Sequence, residues 1–350
     1  MSSVIGQRLC SARKMAGLSM DRLSKEAGSM VSKQAISKYE KGAAKPGSEV
    51  LLALAKALGV KVDYFFRPFR LQISHLEFRK KSRLTRTEEK QIEHQTIDFL
   101  EKYCELEELL NIVPSFKNPV AKRRISNQKD IERAAYDIRR EWNLGEGPIS
   151  ELTELLEDQG IKIFEVGASS DFDGLSGFAD EGSVPFIAVY KGDDQVRKRF
   201  TLAHELAHLL LDFSKHDQRP QEKLCHAFAG ALLLPEEVIR DELGTSRRKI
   251  TEWELKKLKG IYGISMQAIM ARALNLEIIS ESSFKQFRIY VSKHGWRKHE
   301  PGNYSGEEKA NRFKQLVLYA AAEQVISYSK AADYLNLSLS AFEREVSIVS

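Results

Sequence analysis

A chain of 350 residues with 42% hydrophobic content can bury two or three cores, and 29% charged residues without long Pro or Gly clusters exclude wholesale disorder. Three widely separated cysteines, Cys10, Cys104 and Cys225, with no C-x-x-C pair, argue against a disulfide scaffold, and no run reaches signal-peptide or membrane-span length, so a cytoplasmic protein with no membrane partner is expected. The formal charge of +5 is unevenly spread: residues 1–66 carry 11 Lys and Arg against 5 Asp and Glu, residues 67–90 carry 8 against 3, and the rest is net acidic, which points to a basic N-terminal part that meets a polyanion.

Residues 1–66 read as an all-helical unit. Residues 5–15 are periodic, Ser19 can cap a helix over 20–27 closed by Gly28, Ser32 can cap one over 33–41 closed by Gly42, and Pro46-Gly47-Ser48 opens one over 49–58. Leu51, Leu52, Leu54, Ala55 and Leu58 form its apolar stripe, and residues 61–66 add a short turn that packs Tyr64, Phe65 and Phe66. Two short helices around a turn have the size and order of a helix-turn-helix, whose second helix enters the major groove. There Gln34 can read adenine, Lys33 and Lys38 can reach guanine or phosphate, and Ser37 is small enough for close approach, while Ile36 and Tyr39 should be core. A protein-interaction module with a solvated basic face would carry the same pattern. VSKQAISKYEKG followed by a helix ending in ALGV resembles the XRE/Cro family of helix-turn-helix regulators over residues 1–66. That resemblance implies double-stranded operator DNA as a partner and a homodimer as the bound form; the turn around Gly28-Ser29-Met30-Val31 is longer than that family's compact one.

Residues 67–126 read as a basic and helical linker. Leu71, Ile73 and Phe78 suggest a short extended piece whose cations could hold phosphates or serve as a solvated connector, and Thr85 or Thr87 can cap an interdomain helix running to about residue 110. Prolines 114 and 119 break it. Helical periodicity returns over 126–142 and 149–159, then the period falls to two over 161–166, 175–179 and 185–190, which read as strands.

Asp193 or Asp194 can then cap a helix that contains H-E-x-x-H. Residues four apart share a helix face, so His204 and His208 can point at one ion, and Glu205 beside them can take a proton from a water that the ion activates. Catalytic zinc needs three protein ligands and an open position. Leu211 and Ser214 stand where a metzincin has Gly and His, so the third ligand lies elsewhere downstream, and Glu222 and His226 fall on one face of the next helix. Helix, short sheet and His-bearing helix form the skeleton of a zincin metallopeptidase. RFTLAHELAHLLL followed by a motif with Glu222, Cys225, His226 and FAGALLLP resembles the ImmA/IrrE family of zinc metallopeptidases over residues 127–280. The resemblance implies Zn2+ held by His204, His208 and Glu222, with Glu205 as general base. His226 would ligate, donate to the oxyanion, orient Glu222 or line the cleft, and Cys225 reads as core.

Residues 281–350 read as a helical C-terminal extension with an alternating piece at 287–291, a helix over 307–326, a helix over 330–336 capped by Ser329, and a last helix capped by Ser338 or Ser340. Its wording resembles a second helix-turn-helix, although a helical cap or docking surface fits as well. The expected fold class is α+β, mainly helical: an all-α helix-turn-helix domain, a zincin-like α+β metallopeptidase domain, then the extension. The expected function is a DNA-binding transcriptional regulator with a zinc endopeptidase that cleaves a partner protein such as a repressor. The rival reading is a non-cleaving antitoxin that binds a toxin and its own operator, with zinc structural.

Overall fold

Polar residues placed one position ahead of apolar-periodic runs set where most helices begin. The computed structural model describes residues 3–69, 71, 84–113, 116–167, 171–297 and 299–346, so Ile73, Phe78 and Pro114 lie outside the described residues. Ser3, Ser19 and Ser32 cap α1 (Val4–Met15), α2 (Met20–Glu26) and α3 (Lys33–Glu40), each accepting a backbone N–H of the first turn. With α4 (Ser48–Leu58) and a 3-10 turn over Val62–Phe66 they close on Leu9, Leu23, Ile36, Leu54 and Phe65, all fully buried. Two expected core residues face outward instead: Leu52 is 61% exposed, because Leu51, Leu54, Ala55 and Leu58 already fill the inward arc of α4, and Phe66, at the end of the 3-10 turn, is 55% exposed.

A capping box between Thr85 and Glu88 opens α5 (Arg86–Leu109). Rather than bridging solvent, α5 is buried on several sides. Its Glu101 receives Arg8 of α1 at 2.6 Å, both side chains being 1% exposed, while Arg8 also donates to the carbonyls of Arg67 and Pro68. Ile92 and Leu100 pack on the sheet, and Tyr103 and Leu106 pack on the C-terminal helices. A buried ion pair from Glu107 to Lys162 fixes the start of the first strand.

α6 (Gln128–Glu141) and α7 (Leu152–Asp158) precede three strands, β1 (Lys162–Val166), β2 (Gly174–Ala179) and β3 (Val184–Tyr190). The order is β1-β3-β2, with β3 parallel to β1 and antiparallel to β2, so β2 is an edge. Alternation on β3 works in both directions: Phe186 and Ala188 join the α5 side, while Ile187 and Val189 join the core built around α8 (Gln195–Leu210) and α9 (Gln218–Leu233). Then follow α10 (Glu236–Leu243), α11 (Glu252–Tyr262), α12 (Met266–Asn275), α13 (Glu281–Lys293), α14 (Arg312–Ala322), α15 (Tyr328–Tyr334) and α16 (Leu339–Glu345). Among the described residues no helix is long and apolar enough to cross a membrane.

Three expectations for the C-terminal part fail. Residues 287–291 are helical within α13, because Phe284, Phe287 and Val291 repeat at the helix period and Ser280 caps them, leaving Ile289 60% exposed. The helix expected from residue 307 starts only at Arg312, because Glu308 is fully buried in an extended segment. Its carboxylate pairs with Arg199 and accepts from the backbone N–H of Leu152 at 3.1 Å and Thr153 at 2.7 Å, thereby closing the N-terminus of α7. Ser327, not Ser329, caps α15.

Ser11 meets His94 of α5 at 2.9 Å, and burial first, with Lys14, Lys90 and Arg13 adding repulsion, holds that imidazole down at about 4. An unfolded histidine titrates near roughly 6.5. Between those values the unfolded chain binds the extra proton, so the stability His94 contributes is present above pH ~6.5 and lost as pH falls toward about 4. Glu157, pushed up to about 7 by burial, has the opposite slope over part of this range. The expected outcome is therefore a difference: from pH 6.5 down to 4 the thermal midpoint of the wild type drops more steeply than that of His94→Asn, and parallel curves would refute the assignment.

Candidate metal centre and nucleic-acid face

The candidate metal centre lies where α8 and α9 pack together. Asp194 caps α8 by accepting Arg197 N–H at 3.0 Å, and the helix then runs through His204 and His208 one turn apart. Their Nε2 atoms are 3.4 Å from each other, and Glu222, in the second turn of α9, brings Oε2 to 3.2 Å from His204 Nε2. One ligand atom from each of the three residues lies within 4.8 Å of the others. His204 is 8% exposed, and His208 and Glu222 are half-buried. Two imidazoles and a carboxylate converging on one small volume bring lone pairs together, an arrangement that suits a cation. The donor set, nitrogen and oxygen with a histidine pair at helical spacing, fits zinc.

His208 is oriented from behind. The side-chain amide of Gln221 lies 3.3 Å from His208 Nδ1, and Cys225 Sγ lies 3.5 Å from it. With the amide turned to offer its oxygen, Nδ1–H donates and Nε2 keeps its lone pair for the shared volume. Cys225 is fully buried, as expected of a core residue.

Glu205 points the other way, toward β2, and is only 4% exposed. Ser176 of β2 donates its hydroxyl to Glu205 Oε2 at 2.6 Å. The strand passes so close that a Cβ at Gly174 would stand 2.7 Å from Thr201 Cγ2 and 3.0 Å from Glu205 Cγ, so only glycine fits there without displacement. The carboxylate is thus held against the edge strand.

His226 is exposed and stands beside the three-residue set rather than within it. Its Nδ1 lies 2.6 Å from the carbonyl oxygen of Glu222, so Nδ1 is the donor and Nε2 faces away from that bond. Its ring centroid is 4.5 Å from that of His204 and 5.9 Å from that of Phe200. His216 is engaged elsewhere, 3.0 Å from the carbonyl of Ile125.

The nucleic-acid face is built by α2 and α3. Gly28 and Ser29 are both left-handed, with φ of 68° and 58°, which accommodates the lengthened turn, and Ser24 donates to Val31 O at 2.6 Å to hold it. Gln34 and Lys38 are exposed and Ser37 is half-buried, while Ile36 is fully buried and Tyr39 half-buried on the inner side. Lys33 is exposed but reaches back to Asp21 at 2.7 Å. That contact diverts one of the four expected base- or phosphate-contacting side chains toward α2.

Ser176, Gly174 and Gln221 went unread in the sequence. Two of them had a local signal: Gly-Leu-Ser-Gly inside a strand marks a close approach, and an amide immediately before a ligand motif is placed to orient it.

A recognition unit of two capped helices and a His-Glu pocket on paired helices define a DNA-binding protein that also carries a domain of the metallopeptidase type. Family models give the particulars: residues 11–65 match the helix-turn-helix family, and residues 156–274 match a peptidase family described as the IrrE N-terminal-like domain. The chain is accordingly an XRE-type helix-turn-helix joined to an IrrE-like domain. No curated protein matches it.

If Gln221 orients His208, Gln221→Ala should lower the affinity for added Zn2+ by roughly ten- to a hundredfold in chelator competition. Unchanged affinity would refute that role.

Proposed function

We propose that the chain is a transcriptional regulator whose IrrE-like domain is a zinc-dependent endopeptidase that cleaves a partner protein such as a repressor. The observation that carries this reading is the convergence of His204, His208 and Glu222 beside a carboxylate, Glu205, that is presented to an edge strand. In this reading His204, His208 and Glu222 hold the ion. Zinc, when bound, supplies a Lewis acid for the scissile carbonyl and brings a water's acidity near neutrality.

The chain's own residues do the rest. β2 has β3 on one side and, among the described residues, no strand on the other, so an extended substrate segment can add along its outer edge. Ser176 and Gly174 keep the Glu205 carboxylate in one place, where it takes the proton from the attacking water and passes it to the leaving amine. His226, held by its Nδ1–H on the Glu222 carbonyl and ring to ring 4.5 Å from His204, stands where its imidazole can serve the developing oxyanion. The helix-turn-helix, through Gln34, Ser37 and Lys38 with Lys33 at the margin, sets the operator site, with two copies bound as a homodimer on a two-fold sequence.

Glu205→Gln should keep stoichiometric zinc and lose roughly a hundred- to ten-thousandfold in cleavage rate, whereas His204→Ala should lose the metal. Both follow from metal analysis beside a cleavage assay on co-expressed candidate partners. If wild type and Glu205→Gln regulate their target equally, cleavage is not the function and the antitoxin reading takes its place. If His204→Ala retains its metal, the assigned centre is wrong.

For DNA, Gln34→Ala should relax preference at one base pair by about 1–3 kcal/mol, while Lys38→Ala should weaken all sequences alike and reduce the salt slope by about one. Binding selections and salt titrations with each variant separate the two. A Gln34→Ala profile identical to wild type would remove Gln34 from base readout.

A further inference from the structure

The basic N-terminal part is not the only cationic surface. Residues 282–299 contain five Lys and Arg and no Asp or Glu, interleaved with Phe284, Phe287, Tyr290 and Trp296. Most of this stretch is α13, whose N-terminal turn carries the single acid of that helix, Glu281. Its side chains divide into two sets. Phe284, Phe287 and Val291 pack inward, whereas Lys285, Arg288 and Lys293 stand exposed along the outer side with Arg297 just beyond the helix. At about 1.5 Å per residue the three helical cations span roughly 12 Å.

None of these four cations makes an ion pair with a described residue; Arg297 instead donates to Ser292 Oγ at 3.1 Å. The nearby acid Glu252 is occupied, paired with Lys256 and accepting Tyr290 Oη at 3.3 Å. A groove of about 1110 Å³ runs beside the row and is lined by Lys285, Arg288, Lys293 and Arg297. At the C-terminal end of α13 three rings cluster: Tyr290 and His294 have centroids 3.9 Å apart, and Trp296 lies 5.2 Å from Tyr290. Tyr290 is 40% exposed and His294 is exposed.

Charge decides the class of partner and the rings decide the form. A row of uncompensated cations calls for a polyanion. A membrane surface would need an apolar helix face to insert, and the apolar face of α13 is already packed on the core, with Ile289 the one large aliphatic left outside. Rings that reach solvent at the end of a cationic row, as Tyr290 and His294 do while Trp296 packs on the core, match unstacked bases, which a duplex keeps hidden. We propose that α13 with residues 294–297 is a second nucleic-acid surface, separate from the helix-turn-helix, that binds a single strand through its phosphates and stacks a base on the Tyr290/His294/Trp296 cluster.

The test uses the full chain with Gln34→Ala and Lys38→Ala to weaken the helix-turn-helix, and a fluorescein-labelled 20-nucleotide oligothymidylate followed by anisotropy across a salt series. Lys285→Glu/Arg288→Glu/Lys293→Glu should weaken binding at least tenfold and flatten the logarithmic salt dependence by about two, as the removal of three phosphate contacts on a single strand requires. Tyr290→Ala should weaken it about fivefold or more at fixed salt. Because the reversed side chains are exposed, melting temperature and zinc content should match the parent and confirm an intact fold. Binding by the triple variant within twofold of the parent overturns the proposal. So does tighter binding of a 20-base-pair duplex than of the single strand, which would mark a duplex surface, or competition by polyglutamate as effective as by unlabelled oligothymidylate, which would mark a surface for acidic proteins.

Discussion

The fully buried pair between Arg199 and Glu308 governs how the candidate site is held. A guanidinium out of water is tolerated when most of its donors are used, and Arg199 also donates to the carbonyls of Ile149 at 2.7 Å and Ser150 at 3.2 Å, while its Nε has no partner among the described residues. Nine residues separate Arg199 from His208, which at roughly 100° per residue places them on opposite sides of α8. Fixing Arg199 therefore fixes the rotation of the helix about its own axis, so that the histidines turn to α9 and Glu205 turns to β2. Removing one member of such a pair costs on the order of 3–5 kcal/mol, because the other charge stays buried.

A comparable constraint joins the two halves. Arg8 and Glu101 tie α1 to α5, and α5 in turn packs on the sheet through Ile92 and Leu100. The sheet face opposite α5 carries Ile187 and Val189 against the α8 core, so three packed layers connect the DNA-binding unit to the strand that holds Glu205. Among the described residues the two units meet through α5 and two buried charges.

What the sequence revealed follows from how local each feature is. The H-E-x-x-H pair is legible because helical spacing alone brings histidines four apart to one face, Glu222 is legible only through the family resemblance of its motif, and the serine caps are legible because a cap acts within three residues. The strands could be read although β3, buried on both faces, is a nearly continuous apolar run, because turn residues bound each short segment. Glu308 could not be read: its partners lie 109 and 155 residues away, and locally it sits inside a run that has helical periodicity. Residues 287–291 misled for a related reason, since five alternating residues fit either period and only Phe284 and the Ser280 cap, outside that window, decide for helix. Ser176 and Gln221 act through one contact each, which no periodicity encodes.

The Arg199–Glu308 pair also imposes an order on synthesis. The helix-turn-helix has all its core residues by Phe65, and Arg8 finds Glu101 soon after, so the DNA-reading half can assemble while most of the chain is still unmade. The histidine helix is translated a hundred residues before the carboxylate that neutralises Arg199. Until residue 308 emerges, α8 carries an unpaired guanidinium facing an uncapped α7, and the pocket lacks the contact that sets its orientation. The helix-turn-helix therefore closes its core first, and the His-Glu pocket is oriented only once residue 308 has emerged.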